Sequence, residues 1–203
     1  MTQAKVFVVD DDAAVRDGIS LLCETADLTV ECYDGAESFL ASYQPHLCGC
    51  LVLDVRMGRM GGPELHDELV RRGSLLSVVY LSGHGDIPLT VRAMKAGAVN
   101  FLTKPVDGAD LLESVQAALL ESKRLGSQSA ASQTAAERIA SLTEREHEVM
   151  ALLIHGMSNK DVARRLGISH RTVEIHKGRI MHKTGADTLI DLAHIATVAG
   201  RHP

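Results

Sequence analysis

Over the first 125 residues, short apolar runs rich in β-branched residues alternate with longer stretches whose apolar positions recur every three or four residues. The runs at 6–9, 29–32, 50–53, 78–81 and 99–102 have the length and composition of strands. The stretches at 13–26, 35–42, 62–72, 86–97 and 107–123 carry helical periodicity. Five strand–helix repeats with nearly all-apolar strands predict a parallel sheet covered on both faces. Further along only helical patterns occur, at 143–155, 158–166, 169–183 and 187–199. Thr143-Glu-Arg-Glu146 has capping-box form: the hydroxyl can accept a helix-start N–H while Glu146 reaches back. Ser158 and Ser169 are further N-cap candidates, and Gly156 and Gly167 suit helix ends. An α/β half followed by an all-α half is therefore expected, with no internal repeat.

Composition narrows the classes. With 45% hydrophobic residues among 203, the chain can build real cores. Aromatics are 3% with no Trp, which argues against a stacking platform for single-stranded nucleic acid. No apolar run exceeds six residues, so no bilayer span is expected, and the N-terminus lacks the form of a signal peptide. Cys23, Cys32, Cys48 and Cys50 form no CxxC pair. They fit small buried hydrophobes of a cytoplasmic protein better than a four-thiolate metal site.

Taken alone, the net charge of -5 argues against DNA binding, but it is an average. Residues 1–125 hold eleven Lys and Arg against eighteen Asp and Glu, a net of -7. Residues 126–203 hold ten against eight, a net of +2. Between the halves, 126–134 is small and polar, as in a linker, though its alanines also permit helix.

In a doubly wound sheet, ligands bind beyond the carboxyl ends of the strands. The first strand ends in Asp10-Asp11-Asp12, the third in Asp54 and the fourth in Ser82-Gly83, while Lys104-Pro105 follows the fifth. Carboxylates, a hydroxyl and an ammonium thus converge on one rim. Clustered carboxylates call for a cation, and Mg²⁺ (or Mn²⁺) takes such oxygen ligands. With Lys104 opposite, the rim can stabilise charge on a phosphoryl group moving onto a carboxylate. Asp54, alone at the end of a buried strand, is the expected acceptor, and Asp10 and Asp11 the metal ligands. The Lys104-Pro105 step invites a cis peptide at Pro105. Taken singly, each feature has a plainer account: a strand-end Asp caps turns, and a lone Lys is a solvated surface group.

Together, Val8-Val9-Asp10-Asp11-Asp12, Leu51-Val-Leu-Asp54-Val-Arg-Met57, Ser82-Gly-His-Gly-Asp86 and Ala93-Met-Lys-Ala-Gly-Ala98 with Phe101-Leu-Thr-Lys104-Pro105 resemble the receiver domain of two-component response regulators. The FixJ/NarL type is the nearest, over about residues 4–121. The resemblance implies a flavodoxin-like sheet of order 2-1-3-4-5 and phosphorylation of Asp54 by a sensor histidine kinase. It implies Mg²⁺ on Asp11, Asp54 and the backbone carbonyl of Arg56, with Asp10 assisting through water. It places Ser82 and Phe101 at the family's hydroxyl and aromatic switch positions, and His84 where dephosphorylation is tuned. On their own residues, Ser82 would pass for a turn residue, Phe101 for core and His84 for a solvated loop histidine. The face formed by the fourth helix, fifth strand and fifth helix is expected to change and dimerise. One departure stands out. Where the family usually has Met-Pro-Gly-Met, this chain has Met57-Gly-Arg-Met60, so more loop freedom is expected.

In the second half, 158–169 followed by 170–177 has helix-turn-helix form, with Val162, Ala163 and Leu166 on one apolar face and Val173 and Ile180 turned inward. Residues 158–183 contain seven Lys and Arg and two acids, a net of +5, which is a local phosphate-binding footprint. A solvated amphipathic hairpin is the plainer alternative. The string from Leu142-Thr-Glu-Arg-Glu146 through Thr172-Val-Glu-Ile-His176 to Lys183-Thr-Gly-Ala186 resembles the LuxR-type DNA-binding domain over about 138–202, leaving 122–137 as linker. This implies a four-helix domain whose third helix lies in the major groove of double-stranded DNA. Glu174, Ile175 and Gly178 match positions where the family reads bases. Lys160, Arg171, Thr172, His176, Lys177 and Arg179 are candidate phosphate contacts or their supports. The last helix often makes the dimer contact in the family. Thr184 stands where Leu is usual, which is expected to weaken packing by roughly 1–3 kcal/mol if its hydroxyl is buried.

The expectation is a phosphorylation-controlled transcription regulator that meets a kinase, a second copy of itself, DNA with two half-sites and the transcription machinery, but no membrane. Two rivals remain open. Asp10-x-Asp12 after an apolar strand also suits an aspartate-dependent phosphohydrolase, although Ala13 is unusual for that motif. A receiver regulating without phosphate is the other, supported by the altered 58–62 loop.

Overall fold

The structure is a computed structural model that describes residues 5–83, 85 and 87–200. The chain forms two compact units, Met1–Gly126 and Ser127–Pro203.

In the first unit, β1 (Lys5–Val9), β2 (Val30–Tyr33), β3 (Cys48–Asp54), β4 (Leu75–Ser82) and β5 (Asn100–Thr103) form one parallel sheet of order β2-β1-β3-β4-β5. Helices α1 (Ala13–Thr25), α2 (Ala36–Ser42), α3 (Gly62–Arg71), α4 (Ile87–Lys95) and α5 (Gly108–Ala140) connect and follow the strands. The central strands are buried on both faces, which is why their sequences read as apolar runs rather than alternations. Two cores result. Phe7, Phe39, Leu51, Leu53, Leu65 and Tyr80 centre one, and Val8, Cys23, Cys50, Val52, Leu111 and Val115 centre the other. β3 and β4 are longer than their apolar runs because Cys48, Ser77 and Ser82 continue the ladder. Residues 126–134, small and polar in sequence, are helical as part of α5, in keeping with their alanines. His84 and Asp86 lie outside the described residues.

In the second unit, α6 (Glu144–Ile154), α7 (Asn159–Leu166), α8 (His170–Thr184) and α9 (Leu189–Val198) surround a core of Ile139, Val149, Leu153, Val162, Val173, Ile180 and Leu192. Capping sets the helix starts. The Thr143 box forms as expected, and Ser158 and Ser169 accept from Asp161 N–H and Thr172 N–H. A second box, Thr188 with Asp191, opens α9. Gly167 and Gly185 close α7 and α8 at φ 65° and 71°, a left-handed conformation that glycine adopts without strain. Thr184 is fully buried, but its hydroxyl donates to the Ile180 carbonyl at 2.8 Å, so the expected desolvation penalty is relieved within the helix itself. No helix among the described residues is long and apolar enough to cross a membrane.

Candidate phosphoryl-acceptor site and nucleic-acid interface

β1 and β3 are neighbours in the sheet and run parallel, so their carboxyl ends place Asp10 and Asp54 side by side. Both are buried, at 1% and 6% exposure. The Lys104 ammonium, at the end of β5, donates to Asp10 Oδ2 and Asp54 Oδ1 at 2.6 Å each. The Lys104–Pro105 peptide bond is cis. The backbone supports the remaining carboxylate oxygens. Asp12 N–H donates to Asp10 Oδ1 at 2.9 Å, and Arg56 N–H to Asp54 Oδ2 at 2.7 Å.

Burial raises the Asp10 carboxyl above the ordinary carboxylate range, against the lowering pull of Lys104 and the Asp12 N–H. Burial presses Lys104 down, but its bonds to Asp10 and Asp54 more than offset this, and its pKa ends above the usual lysine value. The ammonium is thereby held charged between two carboxylates.

Ser82 is buried at the end of β4, and its carbonyl accepts from Lys104 N–H at 2.7 Å. Phe101 is half-buried on β5 with its ring 5.9 Å from that of Tyr80. Asp11 and Arg56 are exposed on the rim. Asp12 is exposed as well and caps α1 by accepting from Ala14 N–H, the plainer role foreseen for a strand-end acid. Among the described residues no three His, Cys, Asp or Glu side chains cluster closely enough to hold a metal ion. The donors at this rim are nonetheless all hard oxygens, two of them on adjacent buried carboxylates. They fit a cation such as Mg²⁺ that takes few protein ligands and keeps several waters.

Gly62 is required where it stands. A Cβ there would lie 2.3 Å from the Asp54 carbonyl oxygen, so the start of α3 seats directly on the strand end. A polar pocket of about 520 Å³ lined by Arg56, Gly58, Gly61 and Glu64 adjoins it. Arg16 donates to the Asp10 carbonyl at 2.7 Å and steadies the end of β1. Nothing in the sequence sets Arg16 apart from any other helix-surface arginine.

The four thiols are free. Cys23 and Cys50 are buried, and burial pushes Cys23 up to about 11. Both behave as inert core residues.

In the second unit, Arg171, Glu174, Ile175 and Gly178 fall on one exposed face of α8, at helical spacing. Ile175 is 48% exposed, and a Cβ at Gly178 would meet nothing within 4 Å. Glu174 lies 3.7 Å from His170. Lys160 and Arg179 are exposed, while Thr172, His176 and Lys177 are half-buried. Thr172 shares a 2.8 Å hydroxyl contact with Ser169, and the buried Nδ1 of His176 has no hydrogen-bond partner. Beneath this face, Lys183 donates to the buried Glu146 at 2.7 Å, and Arg145 donates to the Leu166 carbonyl at the end of α7. The C-terminal ends of α7 and α8 are thus both tied to the first turn of α6.

Comparison with known proteins bears on both units. Residues 6–116 match the response regulator receiver domain, and residues 140–196 match the bacterial regulatory proteins of the luxR family. The transcriptional regulatory protein FixJ of Azorhizobium caulinodans is 43% identical over 98% of this chain and 94% of its own. The response regulator TodT of Pseudomonas putida is 38% identical over 94% of this chain and 84% of its own. Among solved structures, the response regulator StyR covers 97% of this chain and 99% of its own at TM-score 0.83 and 41% identity. Full-length FixJ from B. japonicum covers all of both chains at TM-score 0.57 and 38% identity. The chain belongs to the two-component response regulators, as a transcriptional regulator with a receiver domain and a LuxR-type DNA-binding domain.

Proposed function

We propose that Asp54 accepts a phosphoryl group from a phosphohistidine of a sensor kinase, and that the modified chain dimerises and binds a duplex with two half-sites. The observation that carries this reading is the Lys104 ammonium bonded at 2.6 Å to both Asp10 and Asp54, a fixed positive charge at the carboxylate where negative charge would accumulate. Asp54 attacks phosphorus as the P–N bond breaks, and the pair of electrons in that bond stays with the leaving imidazole. Asp11, Asp54 and the Arg56 carbonyl, with Asp10 through water, would hold Mg²⁺, which supplies charge neutralisation at the phosphoryl oxygens when bound. Lys104 turns from the carboxylate to a phosphoryl oxygen, the Ser82 hydroxyl binds another, and Phe101 follows inward. In the second unit, Glu174, Ile175 and Gly178 face the bases of the major groove, and Lys160, Arg171, Thr172, His176, Lys177 and Arg179 contact or support contacts to phosphates.

The test is labelling by a small phosphodonor with Mg²⁺. Wild type is expected to gain one phosphoryl group and Asp54→Asn none. Undiminished labelling of the Asn variant overturns the assignment.

A further inference from the structure

The core beneath α4 holds a polar pair that phosphoryl transfer does not use. Tyr80 on β4 and His66 on α3 are both buried, at 1% and 5% exposure. Tyr80 Oη lies 3.1 Å from His66 Nδ1 and 3.5 Å from the carbonyl oxygen of Gly62. A phenol carries one proton. When His66 Nδ1 is protonated, it donates to Oη, and the hydroxyl donates on to Gly62. When Nδ1 is bare, the hydroxyl donates to His66, and the Gly62 carbonyl loses the phenol as a donor. Burial holds His66 below the ordinary histidine pKa, against the raising pull of Asp67, so the choice lies between two neutral tautomers.

Both ends of this arrangement touch the switch machinery. The Gly62 backbone seats on the Asp54 carbonyl, and its N–H donates to Val55 at 3.0 Å. The Tyr80 ring lies 5.9 Å from Phe101 at an interplanar angle of 31°. Beside the pair, Asp67 on α3 and Arg92 on α4 form a 2.6 Å ion pair.

We propose that His66 and Tyr80 form a buried relay coupling the backbone beside Asp54 to the ring of Phe101, with His66 as a positioning residue. The relay rests on the phosphoacceptor reading and deepens it, adding a route from acceptor to ring that runs through α3. A change at Asp54 moves the backbone on which Gly62 rests, the hydroxyl changes its acceptor, and the ring bearing that hydroxyl shifts against Phe101.

The full chain contains three Phe, so 4-fluorophenylalanine labelling gives three fluorine signals, with Phe101 assigned by Phe101→Leu. On treatment with a small phosphodonor and Mg²⁺, with occupancy read by intact mass, the wild-type Phe101 signal is expected to move. In His66→Leu it is expected to move by about half as much or less at equal occupancy, since coupled neighbours share energy on this scale. That variant removes the closer of the two partners of the Tyr80 hydroxyl and can lose stability for that reason alone. The double variant His66→Leu with Tyr80→Phe removes both partners. It is expected to recover thermal stability while keeping the reduced displacement. Recovery of the full displacement in the double variant overturns the relay, because the pair then serves packing alone. A wild-type chain that gains no phosphoryl group overturns the phosphoacceptor assignment and the relay with it.

Discussion

Lys104 is the residue on which the acidic rim depends. Without it, the Asp10 and Asp54 carboxylates face each other in a buried setting with no ammonium between them. Lys104→Ala is expected to lower receiver stability by about 1–3 kcal/mol at neutral pH, measured by urea unfolding of the full chain. The pH dependence has a definite sign. Burial raises Asp10, so the folded state holds that proton more tightly than the unfolded chain does. Its contribution is most favourable at low pH and is lost as pH rises through the carboxylate range. The defect of Lys104→Ala should therefore be larger near pH 7 than near pH 4, and an equal defect at both would contradict it. Asp10, Asp54, Ser82 and Lys104 were legible in the sequence because polar residues at the ends of apolar strands stand out against their surroundings. His66 was not, because a histidine on an amphipathic helix looks alike whether it points outward or into the core. Tyr80 was hidden for the opposite reason: inside an apolar strand it passes for plain core.

At the scale of elements, the second unit shows how caps translate sequence into helix ends. The Thr143 box and the Ser158 and Ser169 caps could be placed from residue type and spacing, and Gly167 from its position after the last apolar residue. The Thr188 box was missed because its fourth member is Asp rather than Glu, which weakens the pattern. Thr184 shows a limit of another kind. Burial of a hydroxyl can be foreseen, but its bond to the Ile180 carbonyl depends on a rotamer. The Glu146 carboxylate serves two partners, Lys183 and the Thr143 N–H, with the Lys183 bond the larger cause of a pKa lowered to about 2. A depressed carboxyl contributes stability that is present above the unfolded value of about 4.3 and lost as pH falls toward the folded one. The thermal stability of this unit should fall between about pH 4 and pH 2 in wild type. In Glu146→Gln that pH dependence should be reduced, with lower stability at pH 7. An unaltered acid profile in the variant would remove Glu146 from this role.

Across the whole molecule, the division of charge matters more than its total. The first 125 residues carry -7 and the remainder +2, while α7 and α8 together hold a net of +5. Affinity for duplex DNA should therefore be set by the α7–α8 pair alone and fall steeply with salt. Lys160→Ala is expected to weaken binding to all duplexes alike and to reduce the slope of log affinity against log salt by about one. A loss confined to one base sequence would instead make Lys160 a base reader. The βα alternation and the helix-turn-helix were both visible as periodicities, because each depends on spacing along the chain. The helical course of 126–134 was not, since small polar residues suit a linker as readily as a helix.

The chain has no tryptophan and three tyrosines, of which Tyr33 and Tyr43 are half-buried and Tyr80 is enclosed against Phe101 and His66. A rigidly held ring in an asymmetric setting gives the strongest near-ultraviolet circular dichroism. The core beneath α4 thus carries its own optical label, and its state can be followed in the unmodified protein.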